Sequence, residues 1–110
     1  MKAFFFVLNR EELLEEILEV FLEMEIGGAT ILDSVGMGSI LAHDIPIFAG
    51  FRQLMEGSRP ANKTIFTLIP EEKEVPLIKA IEQVVGSLEE PGNGIAFTLP
   101  VDSVYGLRGH

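Results

Sequence analysis

The chain has 110 residues, no cysteine and a formal net charge of −9. That length supports one domain with a modest core. The missing thiols exclude disulfides and thiolate metal sites and fit a reducing cytoplasm, while the acidic balance argues against general binding to nucleic acid or anionic lipid. Hydrophobic residues make up 47% of the chain and mean hydropathy is +0.33. No apolar run reaches the roughly 18–20 residues needed to cross a bilayer.

The opening Met1-Lys-Ala-Phe-Phe-Phe-Val-Leu8 has no small-residue cleavage site and runs into an acidic helix, so it reads as a strand and not a signal peptide. Residues 2–8 alternate Phe4, Phe6 and Leu8 with Ala3, Phe5 and Val7, so both faces are apolar. Asn9 is a good N-cap, and Glu12 three residues on completes a capping-box pattern. Leu13, Leu14, Ile17, Leu18, Phe21 and Leu22 then recur at helical spacing. Glu11, Glu12, Glu15, Glu16, Glu19 and Glu23 fill the rest and read as a solvated face, since no partner ligand is placed near them. Gly27-Gly28 is the expected helix stop.

Thr30, Ile31, Leu32 and Val35 favour a second strand, which runs into a loop flanked by Gly36 and Gly38. That exit is the first place to look for a binding site. Residues 39–46 read as a loop with apolar anchors, 47–55 as one short helix and 56–60 as a turn. A third strand covers Asn62 to Ile69, again apolar on both faces. Pro76 fits the first turn of a second helix, whose buried stripe is Leu77, Ile78, Ile81, Val84 and Val85 and whose end is Gly86. Residues 89–94 form a turn. Ile95 to Val101 is the fourth strand, and Pro100 belongs at an edge or strand end.

The order β-α-β-β-α-β predicts an α+β, ferredoxin-like fold with a four-stranded antiparallel sheet and two helices on one face. Those helices cover one side only. Because the first and third strands are apolar on both sides, the open face should be buried against other copies of the chain, with ligand sites in the clefts between subunits. The alternative cover is the apolar segment 47–55 folding back.

Three stretches, Ile26-Gly-Gly-Ala-Thr-Ile-Leu-Asp-Ser-Val-Gly-Met-Gly38, Asn62-Lys-Thr-Ile-Phe-Thr-Leu-Ile-Pro70 and Pro91-Gly-Asn-Gly-Ile-Ala-Phe-Thr-Leu-Pro-Val-Asp-Ser-Val104, together resemble the PII signalling proteins and their PII-like relatives. The resemblance covers nearly the whole chain except residues 39–61. It implies a cytoplasmic homotrimer that regulates and does not catalyse. It implies adenine-nucleotide-type effectors between subunits, and a loop that docks on a transporter or metabolic enzyme. On this sequence it assigns effector contacts to Thr30, Gly36, Gly38, Gly92, Asn93, Gly94 and Arg108. It assigns partner docking to residues 39–61, with Ser39, His43, Asp44, Arg52 and Arg59 as the candidate docking residues.

Three basic positions of the family's ATP-binding members are replaced here by Ser39, Ile95 and Gly106, and Glu89 and Glu90 would repel a polyphosphate. At about 4 Å a like-charge contact costs on the order of 1–4 kcal/mol. The implied effector is therefore less charged than ATP: AMP, an adenosine derivative or a cyclic nucleotide. Loss of nucleotide binding is the other expectation. The glycines keep a backbone N–H nest for a small anion. Tyr105 is the only tyrosine, so the family's tyrosine modification in the docking loop has no counterpart.

Other constellations are weak. His43-Asp44 and the terminal His110 are too few for a histidine metal site, Asp33 and Ser34 have no histidine placed for a hydrolase triad, and Gly36-Met-Gly38 lacks the lysine and Ser/Thr of a phosphate loop. Two rival classes are kept: a CutA-like metal-binding trimer and a small ferredoxin-fold enzyme.

Overall fold

A computed structural model describes residues 1–44 and 61–107 of the chain. Strand β1 (Lys2–Leu8) leads into helix α1 (Leu14–Glu23), strand β2 (Thr30–Ser34) and helix α2 (Met37–Asp44). Strand β3 (Asn62–Ile69), helix α3 (Glu74–Val85) and strand β4 (Ile95–Pro100) follow. The strands form one antiparallel sheet in the order β2-β3-β1-β4. β3 therefore lies between β1 and β2, and β1 lies between β3 and β4, so each β-α-β unit is split by a strand of the other.

Period-two alternation decides the two faces. Phe4, Phe6 and Leu8 of β1 and Ile65 and Ile69 of β3 are fully buried with Ile17 of α1 and Leu77 and Ile81 of α3. Helices α1 and α3 thus cover one side of the sheet, each by an apolar stripe at helical spacing. The opposite face carries Ala3, Phe5, Val7, Phe66, Leu68, Ile95, Phe97 and Leu99, which the register places side by side. Phe66, Phe5 and Phe97 form a row across three strands. Their ring centroids stand 5.7 Å and 4.9 Å apart, the second pair tilted by only 6°.

Several local expectations are corrected. Asn9 is not the N-cap. A 3₁₀ turn over Glu11–Leu13 precedes α1, and no side chain caps either segment. Arg10 instead reaches across the fold, and its Nη2 donates to the Val85 carbonyl at the end of α3, where a cation meets the negative end of the helix dipole.

Gly27-Gly28 is not the stop of α1 either. Glu25 takes the left-handed position, at φ 60°. Ile26 N–H donates to the Phe21 carbonyl at 2.8 Å and Glu25 N–H to the Leu22 carbonyl at 3.0 Å. These are the two hydrogen bonds of a Schellman ending, closed by contact between buried Phe21 and Ile26.

Residues 39–44 are not loop. Helix α2 starts inside the glycine exit, with the Gly36 carbonyl accepting from Ser39 and Ile40 N–H. β4 ends one residue early, at Pro100, and Val101 N–H bonds the Met1 carbonyl at 3.3 Å. The expected helix over 47–55 and turn over 56–60 lie outside the described residues.

Candidate functional site

Helix α1 ends at a cleft. The Schellman turn sends the chain back at Ile26, and the bare backbone of Gly27 and Gly28 carries it to β2. A Cβ on either glycine would meet nothing within 4 Å. Thr67 Oγ1 donates to the Gly28 carbonyl and fixes this connection to β3. Thr30 then pairs with Phe66. Together with Met1, Leu68, Lys73 and Leu107, these residues line a cleft of about 760 Å³, within the range of small-molecule sites.

Lys73 is the basic side chain of the cleft among the described residues, and its ammonium is turned away onto backbone: Nζ donates to the Met24 carbonyl at 2.7 Å. The Glu25 side chain is exposed at the cleft rim.

The residues expected to bind an effector are spread out. Thr30 lines the cleft. Gly36 and Gly38 lie beyond the far end of β2, about 13 Å along the strand from Thr30 at 3.3 Å per residue. Gly92 and Gly94 precede β4, and both have positive φ, 88° and 121°. The pairs Ser34–Asn62, Leu8–Lys63 and Val7–Ile95 show that the Gly36 and Gly94 connections leave the same end of the sheet. They leave from opposite edges, three strand spacings or about 14 Å apart. One chain therefore does not gather Thr30, the Gly36–Gly38 exit and the Gly92–Gly94 turn around one small ligand.

Gly94 has a packing reason of its own. A Cβ there would stand 2.7 Å from the Phe6 ring and 2.7 Å from the Val7 carbonyl. Asn93 spends its amide on the turn itself, with Nδ2 donating to the Ser87 carbonyl at 2.8 Å. Glu82 holds the other end by accepting from Leu88 N–H at 2.8 Å. The turn is thus braced from within, and Asn93 shapes it.

Ser39 sits in the first turn of α2, and His43 and Asp44 sit at its end. Arg52, Arg59 and Arg108 lie outside the described residues. Lys63, on β3, is paired with Asp33 across the register, and that hydrogen bond raises its pKa above the usual lysine value. Among the described residues no group of three or more His, Asp or Glu side chains could hold a metal ion. No described helix is long and apolar enough to cross a membrane.

Sequence reasoning pointed to Thr30 but missed Glu25, Phe66, Lys73 and Leu107. The Gly27-Gly28 pair before Thr30 was the available signal, since two glycines next to a strand leave backbone bare for a close approach. Nothing local linked Lys73 or Leu107 to it. No family model matches this chain, and no curated protein matches its sequence.

Proposed function

We propose that the chain is a PII-like regulatory protein of ferredoxin-like βαββαβ fold that assembles as a cytoplasmic homotrimer through the open face of its sheet. The observation that carries the reading is the apolar row on that face. In the single chain Phe97 is 46%, Ile95 64% and Leu99 49% exposed, beside the stacked Phe5 and Phe66. A contiguous apolar sheet face on an acidic chain needs a cover, and a copy of the same face is self-complementary in chemistry. The rings stack on one another, and none of the residues paired along this row is basic, so a nucleic acid is a poor occupant.

Assembly also supplies what one chain lacks. The Gly36–Gly38 exit and the Gly92–Gly94 turn stand at opposite edges, so a cleft between neighbours brings one of each together. Such a cleft is where an effector of the adenine-nucleotide type but of low charge would bind. Arg108, which follows Leu107 directly in the chain, is the cation proposed to meet it. Effector binding would shift the population of states of segment 39–61, which in turn engages or releases a transporter or metabolic enzyme. The protein acts through this docking and not by catalysis.

The test is light scattering coupled to gel filtration. Three copies of the 12.1 kDa chain give about 36 kDa. A monomer would overturn the reading and favour the alternative in which the chain's own segment 47–55 covers the face. A thermal-unfolding screen against AMP, ADP, ATP and cyclic nucleotides then tests the effector. A ligand at about a hundred times its dissociation constant adds roughly 2.7 kcal/mol.

A further inference from the structure

The sheet has two edges, β2 and β4, and each is paired on its inner side only. Among the described residues no backbone hydrogen bond leaves either strand outward. Thr30, Ile31, Leu32 and Asp33 are exposed on both faces of β2, so nothing covers that edge. Neither edge has the usual guards against pairing, such as a lysine, an inward charge or a bulge. β4 carries no charge, and β2 carries only Asp33, which Lys63 already pairs. Both registers run unbroken, and Pro100 blunts only the last position of β4. One chain is thus left with two bare edges of five and six residues.

Strand direction decides what can cover them. β1 is antiparallel to β3 and to β4, and β2 is antiparallel to β3, so β2 and β4 run in opposite directions. A second copy turned about an axis along the strands sets its β4 antiparallel beside β2, with its open face on the same side. Repeating that step uses each edge once and closes a ring with the open faces inward. Pairing β2 with β2 instead leaves both β4 edges bare and sends the two Gly36 connections to opposite ends. We infer that β2 of each copy pairs antiparallel with β4 of the next, so that the sheets of the assembly join edge to edge. The inference rests on the homotrimer reading and adds the backbone contact that closes the ring. Across that junction the Gly36–Gly38 exit and the Gly92–Gly94 turn, three strand spacings or about 14 Å apart in one chain, come within one spacing, about 5 Å.

Crosslinking tests it, because the chain has no cysteine of its own. Leu32 and Ile95 share one row of the open face, through Thr64 and Val7. They stand at opposite edges, too far apart for a short bis-maleimide to bridge within a chain. The double variant Leu32→Cys/Ile95→Cys, treated with that reagent, should give covalent dimers and trimers on a denaturing gel and nothing larger. Each single variant should stay monomeric on the gel. Dimers from either single variant would show like edges pairing and overturn the inference. A double variant that keeps a three-copy mass in light scattering but does not crosslink overturns it and leaves the homotrimer standing. A monomeric parent overturns both. Residue-resolved hydrogen exchange on the unaltered protein gives the same decision without any substitution. A bare edge strand leaves every second N–H to water, so Ile31, Leu32 and Asp33 should all be protected at least a hundredfold, and free exchange at alternate positions would overturn the edge pairing.

Discussion

Phe97→Lys is the sharpest test of the open sheet face. Phe97 lies on β4 opposite Phe5, on the side away from the core, and is 46% exposed in one chain. A Phe side chain offers about 200 Å², so an interface can remove about 90 Å² more of it from water. At about 25 cal/mol per Å² that is roughly 2 kcal/mol per subunit and about 6–7 kcal/mol over a trimer. Lysine forfeits this contribution and adds the cost of an unpaired ammonium in an apolar interface, several kcal/mol more. The transfer contribution alone weakens assembly by about five orders of magnitude. The monomer itself should lose only the Phe5–Phe97 stacking, about 0.5–1.5 kcal/mol. Light scattering should therefore report about 12 kDa for the variant at micromolar concentration, with a folded circular-dichroism spectrum. A variant of the same mass as the parent, when the parent is oligomeric, would refute the assignment of this face as the interface.

Three further outcomes follow from the geometry. Glu25→Gly removes a left-handed strain of about 1–2 kcal/mol at a cost in chain entropy of about 0.5–1 kcal/mol. It should raise stability in denaturant titration by about 0.5–1 kcal/mol, whereas a loss would show that the Glu25 side chain holds the α1 ending. Gly94→Ala forces a methyl group to within 2.7 Å of Phe6 and the Val7 carbonyl at a φ of 121°, and should cost about 2–4 kcal/mol from overpacking and backbone strain; an unchanged melting temperature would refute that packing. Hydrogen bonds from Lys2 and Thr98 hold the Glu74 carboxyl below its usual range. A depressed carboxylate contributes stability above its unfolded pKa and loses it as pH falls through the folded value. Glu74→Gln should therefore flatten the acid limb of the stability curve below about pH 4.5, and an unaltered acid limb would remove Glu74 from it.

The periodicities in this chain come from what each residue buries, so they carry the layers into the sequence. Phe4, Phe6, Leu8, Ile65 and Ile69 alternate because one face meets helices, and Leu77, Ile81 and Val85 recur because their helix meets that face. Hence four strands, the two covering helices and the apolar open face were readable before any coordinates. The Gly36 and Gly94 connections were readable as special backbone, but not their separation to opposite edges.

Other features depend on groups far apart in sequence. Arg10 bypasses a cap at its own helix to reach Val85, because the sheet brings the end of β1 beside the end of α3. Glu25 ends α1 although two glycines follow it, because burial of Ile26 against Phe21 sets where the turn falls. Helix α2 forms where the glycines predicted a loop. The cleft joins residues from Met1 to Leu107, and its Lys73 ammonium bonds the Met24 carbonyl, a contact across 49 positions. Local sequence thus determined which faces are apolar, since burial imposes a period on neighbours. Tertiary structure alone decided what meets at the cleft and with what charge, since hydrogen bonds between distant elements leave no period to read.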